Sequence, residues 1–384
     1  MTFTTSGTVA DADPTISCAS RPSTSGRPGA SASSRPSIAI VGCGYWGSKH
    51  VRVFSTMANV GRVIVVDHSP ERLKGISAAF PNVETTTSLA EALPQVDGVV
   101  VATPPLYHAA VALQAIRAGR HVLVEKPLTT TSADGRLLIE EARRHHVRLM
   151  TGHTFEFNPA VRELRRRMDE GELGTIYYID SARLNLGLYR SDVDVVWDLA
   201  PHDISIMNFL LRATPSTVSA WGSSHACGAT KDLAYMRFQY AERGVVGYAH
   251  VSWLDPRKVR RVTVVGSKKM AVYNDLAEER LRIFDCGVDG AAPDDLGKVA
   301  QFERPVSYRY GDIVSPNIHF EEPLGIQDRH FVDCVRTDAQ PISDGSNGLS
   351  VVSVLEAIDR SMATGQVIQL AQQQAEPALA TTSH

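Results

Sequence analysis

The sequence has no excess of positive charge. Its 39 Lys and Arg stand against 42 Asp and Glu, a formal net charge of −3. The cations are spread along the chain without long tracts, which argues against a nucleic-acid partner. No apolar run reaches the length needed to cross a bilayer, so no membrane partner is expected. Cysteine is scarce. Cys18, Cys43, Cys227, Cys286 and Cys334 are odd in number, widely spaced and include no Cys-x-x-Cys pair. That argues against a disulfide framework and a structural zinc site, predicts no metal, and fits a reducing cytoplasm.

Residues 1–36 lack apolar periodicity and are dominated by Ser, Thr, Pro, Gly and Ala. Such a segment cannot bury enough surface to offset its ordering entropy. No apolar stretch follows Met1, as a secretory signal would require, and Asp11 and Asp13 argue against a transit peptide. A disordered tail is expected at 1–36, and a flexible C-terminus at 371–384.

What is present between them is an ordinary globular composition, 43% hydrophobic and 21% charged, in a 384-residue chain long enough for two domains. Ile38–Val41 and Val63–Val66 read as buried strands. Ser69-Pro70 opens a helix, and Ser88 with Glu91 forms a capping-box pair. A strand at Gly98–Ala102, a helix at His108–Ala118, a strand at His121–Val124, a helix at Ser132–His146 and a strand at Val147–Thr151 follow. This alternation predicts an α/β Rossmann domain, a doubly wound parallel sheet, over residues 37–152. The rhythm then changes. A helix capped by Asn158-Pro159 runs to Gly171, and strands are expected at Thr175–Leu186, Ser216–Ser223, Leu233–Tyr240, Val245–Leu254, Arg261–Gly266 and Met270–Asn274. Helices near Gln327–Arg336 and Gly348–Ala363 close the chain. Residues 153–370 therefore read as an α+β domain with an open, mostly antiparallel sheet that binds substrate and joins subunits.

The sharpest local signal is Gly42-Cys43-Gly44-Tyr45-Trp46-Gly47, a G-x-G-x-x-G directly after the first strand. The first glycine permits the tight turn, the second lets backbone N–H groups approach a pyrophosphate, and the third lets helix and strand pack closely. Asp67 ends the second strand where a carboxylate would accept hydrogen bonds from the adenosine ribose. It would repel a 2′-phosphate, so NAD is expected over NADP, with His68 and Arg72 placed to soften that preference. Two further strand ends, Ala102-Thr103-Pro104-Pro105 and Val124-Glu125-Lys126-Pro127, lie on the carboxyl edge of the sheet, where open α/β proteins bind ligands. Thr103, Pro104, Glu125 and Lys126 thus join the cofactor set. A lysine leaving a buried strand is costly unless its ammonium is paired or sits in a polar cleft.

Gly42–Gly47, Asp67 and Glu125-Lys126-Pro127 resemble the glucose–fructose oxidoreductase, inositol dehydrogenase and rhizopine-catabolism (Gfo/Idh/MocA) family. Trp197-Asp198-Leu199-Ala200-Pro201-His202-Asp203 resembles its Asp-x-x-x-His signature at the start of a second-domain helix. The resemblance covers about residues 37–370 and implies that Lys126, Asp198 and His202 converge on substrate as catalytic residues. Asp194-Val195-Val196-Trp197 stands where family members often carry glycines, so a differently shaped pocket floor is expected.

The residues support such a role on physical grounds. Pro201 suits the first turn of a helix beginning near Asp198, and Asp198 and His202 are then one turn apart on one face. Oxidation of a carbinol needs a group that takes the hydroxyl proton near neutral pH, and histidine has a suitable pKa. A neighbouring ammonium stabilises the developing alkoxide and favours neutral imidazole. His153, Arg183 and Asn185 are further candidate substrate contacts, the last two for a phosphate or carboxylate. Tyr107 and His108 read as packing residues, and Trp253–Lys258 as a turn whose cations are solvated.

The resemblance implies an NAD(P)-dependent oxidoreductase acting on a secondary alcohol or ketone of a sugar. Trp197–Asp203, Arg183–Gly187 and Trp253–Lys258 look most like the branch acting on nucleotide sugars such as UDP-N-acetylhexosamine uronates. The alternatives are a cyclitol or aminosugar dehydrogenase, an NAD-dependent glycosidase and a non-catalytic NAD-binding regulator. One face of the second sheet, with Tyr177, Ile179, Tyr235 and Tyr248 among its apolar positions, needs cover. A homodimer or homotetramer is therefore expected.

Overall fold

The computed structural model describes residues 35–187, 189–190, 193–226, 228–290 and 306–371. Apart from Arg35, Pro36 and Ala371, the expected terminal tails lie outside the described residues, as do Cys18 and Cys227. Pro36, assigned to the tail by composition, is buried, and its carbonyl accepts from the Gly61 N–H.

The first sheet is built from β1 (Ile38–Val41), β2 (Val63–Val66), β3 (Glu84–Thr86), β4 (Gly98–Val101), β5 (His121–Glu125) and β6 (Leu149–Gly152), in the order β3-β2-β1-β4-β5-β6. All its pairs are parallel. Its helices are α1 (Tyr45–Phe54), α2 (Pro70–Ala79), the short α3 (Leu89–Ala92), α4 (His108–Arg117) and α5 (Ser132–Arg144). Strands β1, β2 and β4 carry no polar side chain because both faces are covered, whereas edge strand β3 is polar and largely exposed. Ile38, Ile40, Val65, Val100 and Leu123 point to the α1 side. Ala39, Val41, Val99, Val101, Val122 and Val124 point to the other. Ser69 caps α2 by accepting from the Arg72 N–H, and Ser88 caps α3 by accepting from Glu91. The reciprocal half of that capping box does not form. The Ser88 N–H donates to Thr86 Oγ1, whose hydroxyl holds the Glu91 carboxylate.

The second sheet is mixed and has nine strands. They are β7 (Ile176–Leu186), β8 (Thr217–Ser223), β9 (Leu233–Tyr240), β10 (Val245–Ser252), β11 (Leu254–Gly266), β12 (Met270–Asn274), β13 (Leu281–Gly290), β14 (Val306–Val314) and β15 (Ile368–Gln369). The order is β14-β13-β12-β11-β7-β10-β9-β8-β15, antiparallel except for the parallel pair β7–β10. Helices α6 (Pro159–Asp169), α7 (Val195–Leu211) and α9 (Gly345–Thr364) cover one face, against Ile179, Phe238, Val251 and Val264 among others. Helix α8 (Pro323–Thr337) lies elsewhere.

Three expectations need correction. Helix α7 starts at Val195, not Asp198, because Asp194 caps it by accepting from the Val196 and Trp197 N–H groups. Pro201 therefore lies inside the helix. Its ring has no N–H to give the carbonyl one turn back. Strand β11 runs through the supposed turn at Asp255–Lys258, which is accommodated by a break in register opposite β7 between Leu254 and Val259. Ile179 belongs to the helix-covered core, whereas Tyr177, Tyr235 and Tyr248 remain exposed. The closing helices also do more than finish the second domain. Phe331 and Val332 of α8 pack against Ile38 and Val100, while Val352 of α9 packs on the opposite face of the first sheet.

Candidate active site

The glycine loop joins β1 to α1 at the point where the strand order reverses. Gly42 has φ +89°, and an added Cβ there would lie 2.8 Å from the Ala102 carbonyl oxygen at the end of β4. A Cβ on Gly47 would lie 1.8 Å from the Gly42 carbonyl oxygen. At Gly44 it would meet nothing within 4 Å. Sterics thus fix the first and third glycines, while the second faces open space at the first turn of a helix, a suitable cradle for a pyrophosphate. Tyr45 is exposed and Trp46 partly so, their rings meeting edge to face, with Lys49 Nζ 4.7 Å from the Tyr45 ring centre.

Asp67 is buried. Its Oδ2 accepts from the Cys43 N–H (2.8 Å) and lies 3.3 Å from Cys43 Sγ, and its Oδ1 accepts from the Ser69 N–H (2.9 Å). Burial pushes the carboxyl upward, but those hydrogen bonds and Arg72 outweigh it and hold the pKa below the ordinary value. Burial and the adjacent carboxylate push the Cys43 thiol up to about 12, so it stays protonated and tied to Asp67. Arg72 Nη1 stands 3.8 Å from Asp67 Oδ2, and His68 Nδ1 3.5 Å from Oδ1.

His108 lies between the exits of β4 and β5. Its Nε2 is 2.8 Å from the Thr103 carbonyl and its Nδ1 2.8 Å from that of Pro127. Burial lowers its pKa, and a neutral imidazole carries one N–H, so only one of the two contacts is a hydrogen bond at neutral pH. Pro104 opens the turn that follows, its carbonyl accepting from the Tyr107 N–H. The Thr103 hydroxyl is buried and has no partner among the described residues. An open cradle, a fixed carboxylate and an orphaned hydroxyl along one sheet edge fit a dinucleotide. Glu125 departs from the expected cofactor set. It is buried, with Oε1 on His50 Nε2 (2.9 Å) and Oε2 on the Lys126 N–H (3.1 Å).

The catalytic candidates meet across the two sheets. Lys126 Nζ donates to the main-chain carbonyl of Asp198 (2.7 Å) and lies 3.7 Å from Asp198 Oδ1. The Asp198 carboxylate also accepts from Trp253 Nε1 (3.2 Å) and Arg190 Nη1 (3.4 Å). Burial lowers the pKa of Lys126 further than Asp198 and Glu125 restore it, with Arg190 and Arg183 adding to the fall. His202 follows one turn along α7, its ring edge-on to Phe155 at 5.0 Å. Burial, then the charges of Lys126, Arg183, Arg260 and His153, hold its pKa well below 6.5. At neutral pH it is an unprotonated imidazole beside an ammonium, suited to take a proton from a hydroxyl.

The expected substrate contacts divide. Arg183 is not a free clamp. It is buried, with Nε 2.8 Å and Nη2 3.2 Å from the Asp203 carboxylate, which Ser181 Oγ also bonds at 2.6 Å. Its guanidinium carbon lies 4.7 Å from the centre of the Phe155 ring. It thus supplies charge behind the site. Asn185, on the same strand, is partly buried beside Gly187. His153 Nδ1 contacts Asn347 Oδ1 (2.6 Å), whose Nδ2 donates to Glu156 (3.1 Å), while His153 Nε2 is buried without a partner among the described residues. Phe155 and Asn347 escaped sequence reasoning, as did the roles of Trp253 and Arg190. Arg190 reaches Asp198 from a nearby position, and the other three meet the site through contacts far along the chain.

Residues 37–153 match the GFO/IDH/MocA oxidoreductase family, NAD-binding Rossmann fold, and residues 161–272 match the GFO/IDH/MocA C-terminal domain. The chain belongs to the GFO/IDH/MocA family. It is an NAD(P)-dependent oxidoreductase with an NAD-binding Rossmann domain. It is 33% identical over 189 residues to UDP-N-acetylglucosamine 3-dehydrogenase of Acidithiobacillus ferrooxidans, a stretch that is 48% of this chain and 56% of that protein. It is 25% identical over 360 residues to D-apiose dehydrogenase of Paraburkholderia graminis, covering 90% and 92% of the two chains. Among solved structures, GenD2 from gentamicin A biosynthesis in complex with NAD superposes with a TM-score of 0.73 at 26% identity, covering 90% of this chain and 99% of that one. Among the described residues of this family member, no helix is long and apolar enough to cross a membrane, and no group of His, Cys, Asp and Glu could hold a metal ion.

Proposed function

We propose that this enzyme oxidises or reduces a secondary hydroxyl or ketone of a nucleotide sugar, of the UDP-N-acetylhexosamine uronate type. The observation that carries the reading is the convergence of three segments on one carboxylate. Asp198 on α7 accepts from Trp253 Nε1, and the Trp253 carbonyl accepts from the Gly187 N–H just beyond β7. The register break of β11 sets Arg257 and Lys258, both exposed, next to this corner, and Arg190 lies on the same carboxylate. A sugar held at Lys126, Asp198 and His202 would find its diphosphate facing cations. The similarity to UDP-N-acetylglucosamine 3-dehydrogenase favours the same substrate class.

In this reading the Gly42–Gly47 loop cradles the cofactor pyrophosphate, Asp67 takes the adenosine ribose, and Thr103 offers its orphaned hydroxyl. Bound NAD supplies the hydride acceptor or donor. His202 removes the hydroxyl proton. Lys126 stabilises the oxyanion that develops as the proton leaves, and Asp198 holds Lys126 and a sugar hydroxyl in place. Arg183, neutralised by Asp203, keeps His202 unprotonated without competing for substrate. For the ketone-to-alcohol direction the same groups act in reverse, His202 returning the proton.

The exposed face of the second sheet carries Trp221, Tyr235 and Tyr248 around a groove of about 400 Å³. We propose that a second copy of the chain covers it, giving a dimer or tetramer.

The experiment is an absorbance assay with NAD and NADP against nucleotide sugars, free sugars, aminosugars and inositols. Turnover of a UDP-N-acetylhexosamine uronate is expected. Turnover confined to aminosugars or cyclitols would select the second reading.

A further inference from the structure

A buried charged array lies behind the lysine and takes no part in the chemistry derived above. His50, on the second turn of α1, is fully buried. Its Nε2 is 2.9 Å from Glu125 Oε1, and its Nδ1 is 2.9 Å from Asp328 Oδ2 and 3.0 Å from Oδ1. Burial alone would strip its proton, but the two carboxylates overcome that and push its pKa up to about 10. The ring is therefore an imidazolium with one N–H for each carboxylate. Glu125 stays ionised for the same reason: burial pushes it upward, and His50 more than reverses this. The array joins the helix behind the glycine loop, the exit of β5 and α8. Two carboxylates share one imidazolium, and burial pushes the Asp328 carboxyl up. A carboxylate sealed from water is costly unless paired, so the array needs a reason to persist.

The reason lies one residue on. Glu125 immediately precedes Lys126 and accepts its main-chain N–H. Lys126 faces Asp198 and His202 from α7, Arg190 from the segment before α7, and Arg183 from β7. Arg190 lies on the Asp198 carboxylate and Arg183 is paired with Asp203, so these neighbours balance in pairs and Glu125 is the further anion that offsets the buried ammonium.

We propose that His50 is a positioning residue which, by bridging Glu125 and Asp328, keeps Glu125 negatively charged beside Lys126 and so keeps the lysine charged in its buried site. This rests on the catalytic reading of Lys126. The test needs no substrate, so it stands apart from the success of that reading. Trace acetylation with acetic anhydride across pH, read at Lys126 by peptide mass spectrometry, gives the pH at which the amine loses its proton. In Glu125→Gln this midpoint falls by about one pH unit, the scale of losing a nearby opposite charge. In His50→Gln it falls in the same direction, because a buried carboxylate without its imidazolium takes up a proton. In Asp328→Asn it falls less, because His50 keeps its bond to Glu125 but loses the carboxylate that does most to hold its proton. All three variants lose thermal stability, which separates loosening from the charge effect, and NADH fluorescence checks that each is folded. An unmoved midpoint in Glu125→Gln overturns the proposal. A fall in Glu125→Gln with none in folded His50→Gln removes His50 from it. Should His50→Gln fail to fold, equal shifts in Glu125→Gln and Asp328→Asn would overturn it equally.

Discussion

Replacing Asp203 by asparagine tests how the second domain holds charge behind the reacting groups. The Asp203 carboxylate is buried and accepts from Ser181 Oγ, Arg183 Nε and Arg183 Nη2 at 2.6, 2.8 and 3.2 Å. Asparagine keeps the shape but removes the charge, leaving the Arg183 guanidinium buried without a counter-ion. Breaking a buried ion pair from one side costs about 3–5 kcal/mol. At about 2 °C per kcal/mol for a chain of this size, the melting temperature should fall by about 6–10 °C. The effect does not stop at stability. Arg183 is one of the cations that hold the His202 pKa down, and an unneutralised Arg183 would hold it lower still. The acid limb of kcat/KM for alcohol oxidation should therefore move to lower pH. Scanning calorimetry reads the first effect and a pH–rate profile the second. A melting temperature within 2 °C of the unaltered protein would refute the reasoning about the pair. A limb that moved to higher pH would refute the electrostatic link to His202.

For the unaltered enzyme, the direction of the His202 shift places the acid limb of oxidation below pH 6.5, since imidazole must be unprotonated to act. The lowered Lys126 pKa places the alkaline limb below pH 10.5, and a profile with its acid limb above 6.5 would exclude His202 as the base. His202→Ala or Lys126→Ala should cut turnover by roughly a hundredfold or more while NADH binding measured by fluorescence stays near normal; near-normal turnover removes the residue from the mechanism. Calorimetric titration should show NAD binding more tightly than NADP, with Asp67→Ala narrowing the gap because Arg72 then meets a 2′-phosphate unopposed; tighter NADP binding by the unaltered protein would overturn this. Light scattering at micromolar concentration should give at least twice the chain mass, and Tyr235→Arg, placing charge in the apolar face, should lower it; a monomer mass for the unaltered protein would mean that the face is not an interface.

The sequence by itself determined the first sheet and the cofactor loop, because both are local. Short apolar runs buried on two faces and alternating with helices admit one arrangement, and the clashes that would follow from side chains at Gly42 and Gly47 lie within or beside that loop. Lys126, Asp198 and His202 were legible because each sits in a short motif. Strands β13 and β14 were not, since charged and small residues such as Arg282, Asp285, Arg309 and Asp312 interrupt their apolar positions. Strand β3 is three residues on an exposed edge. Only the tertiary structure decided where the side chains spend their hydrogen-bonding capacity. Arg183 read as a substrate clamp and is paired with Asp203. Glu125 read as a cofactor contact and is bound to His50. Ile179 read as surface and is core. Each depends on a partner tens to hundreds of residues away, and local spacing carries no record of such a partner. The return of α8 and α9 onto the first sheet has the same cause: Phe331 and Val352 look like ordinary helix residues until the fold brings them against strands near the start of the chain.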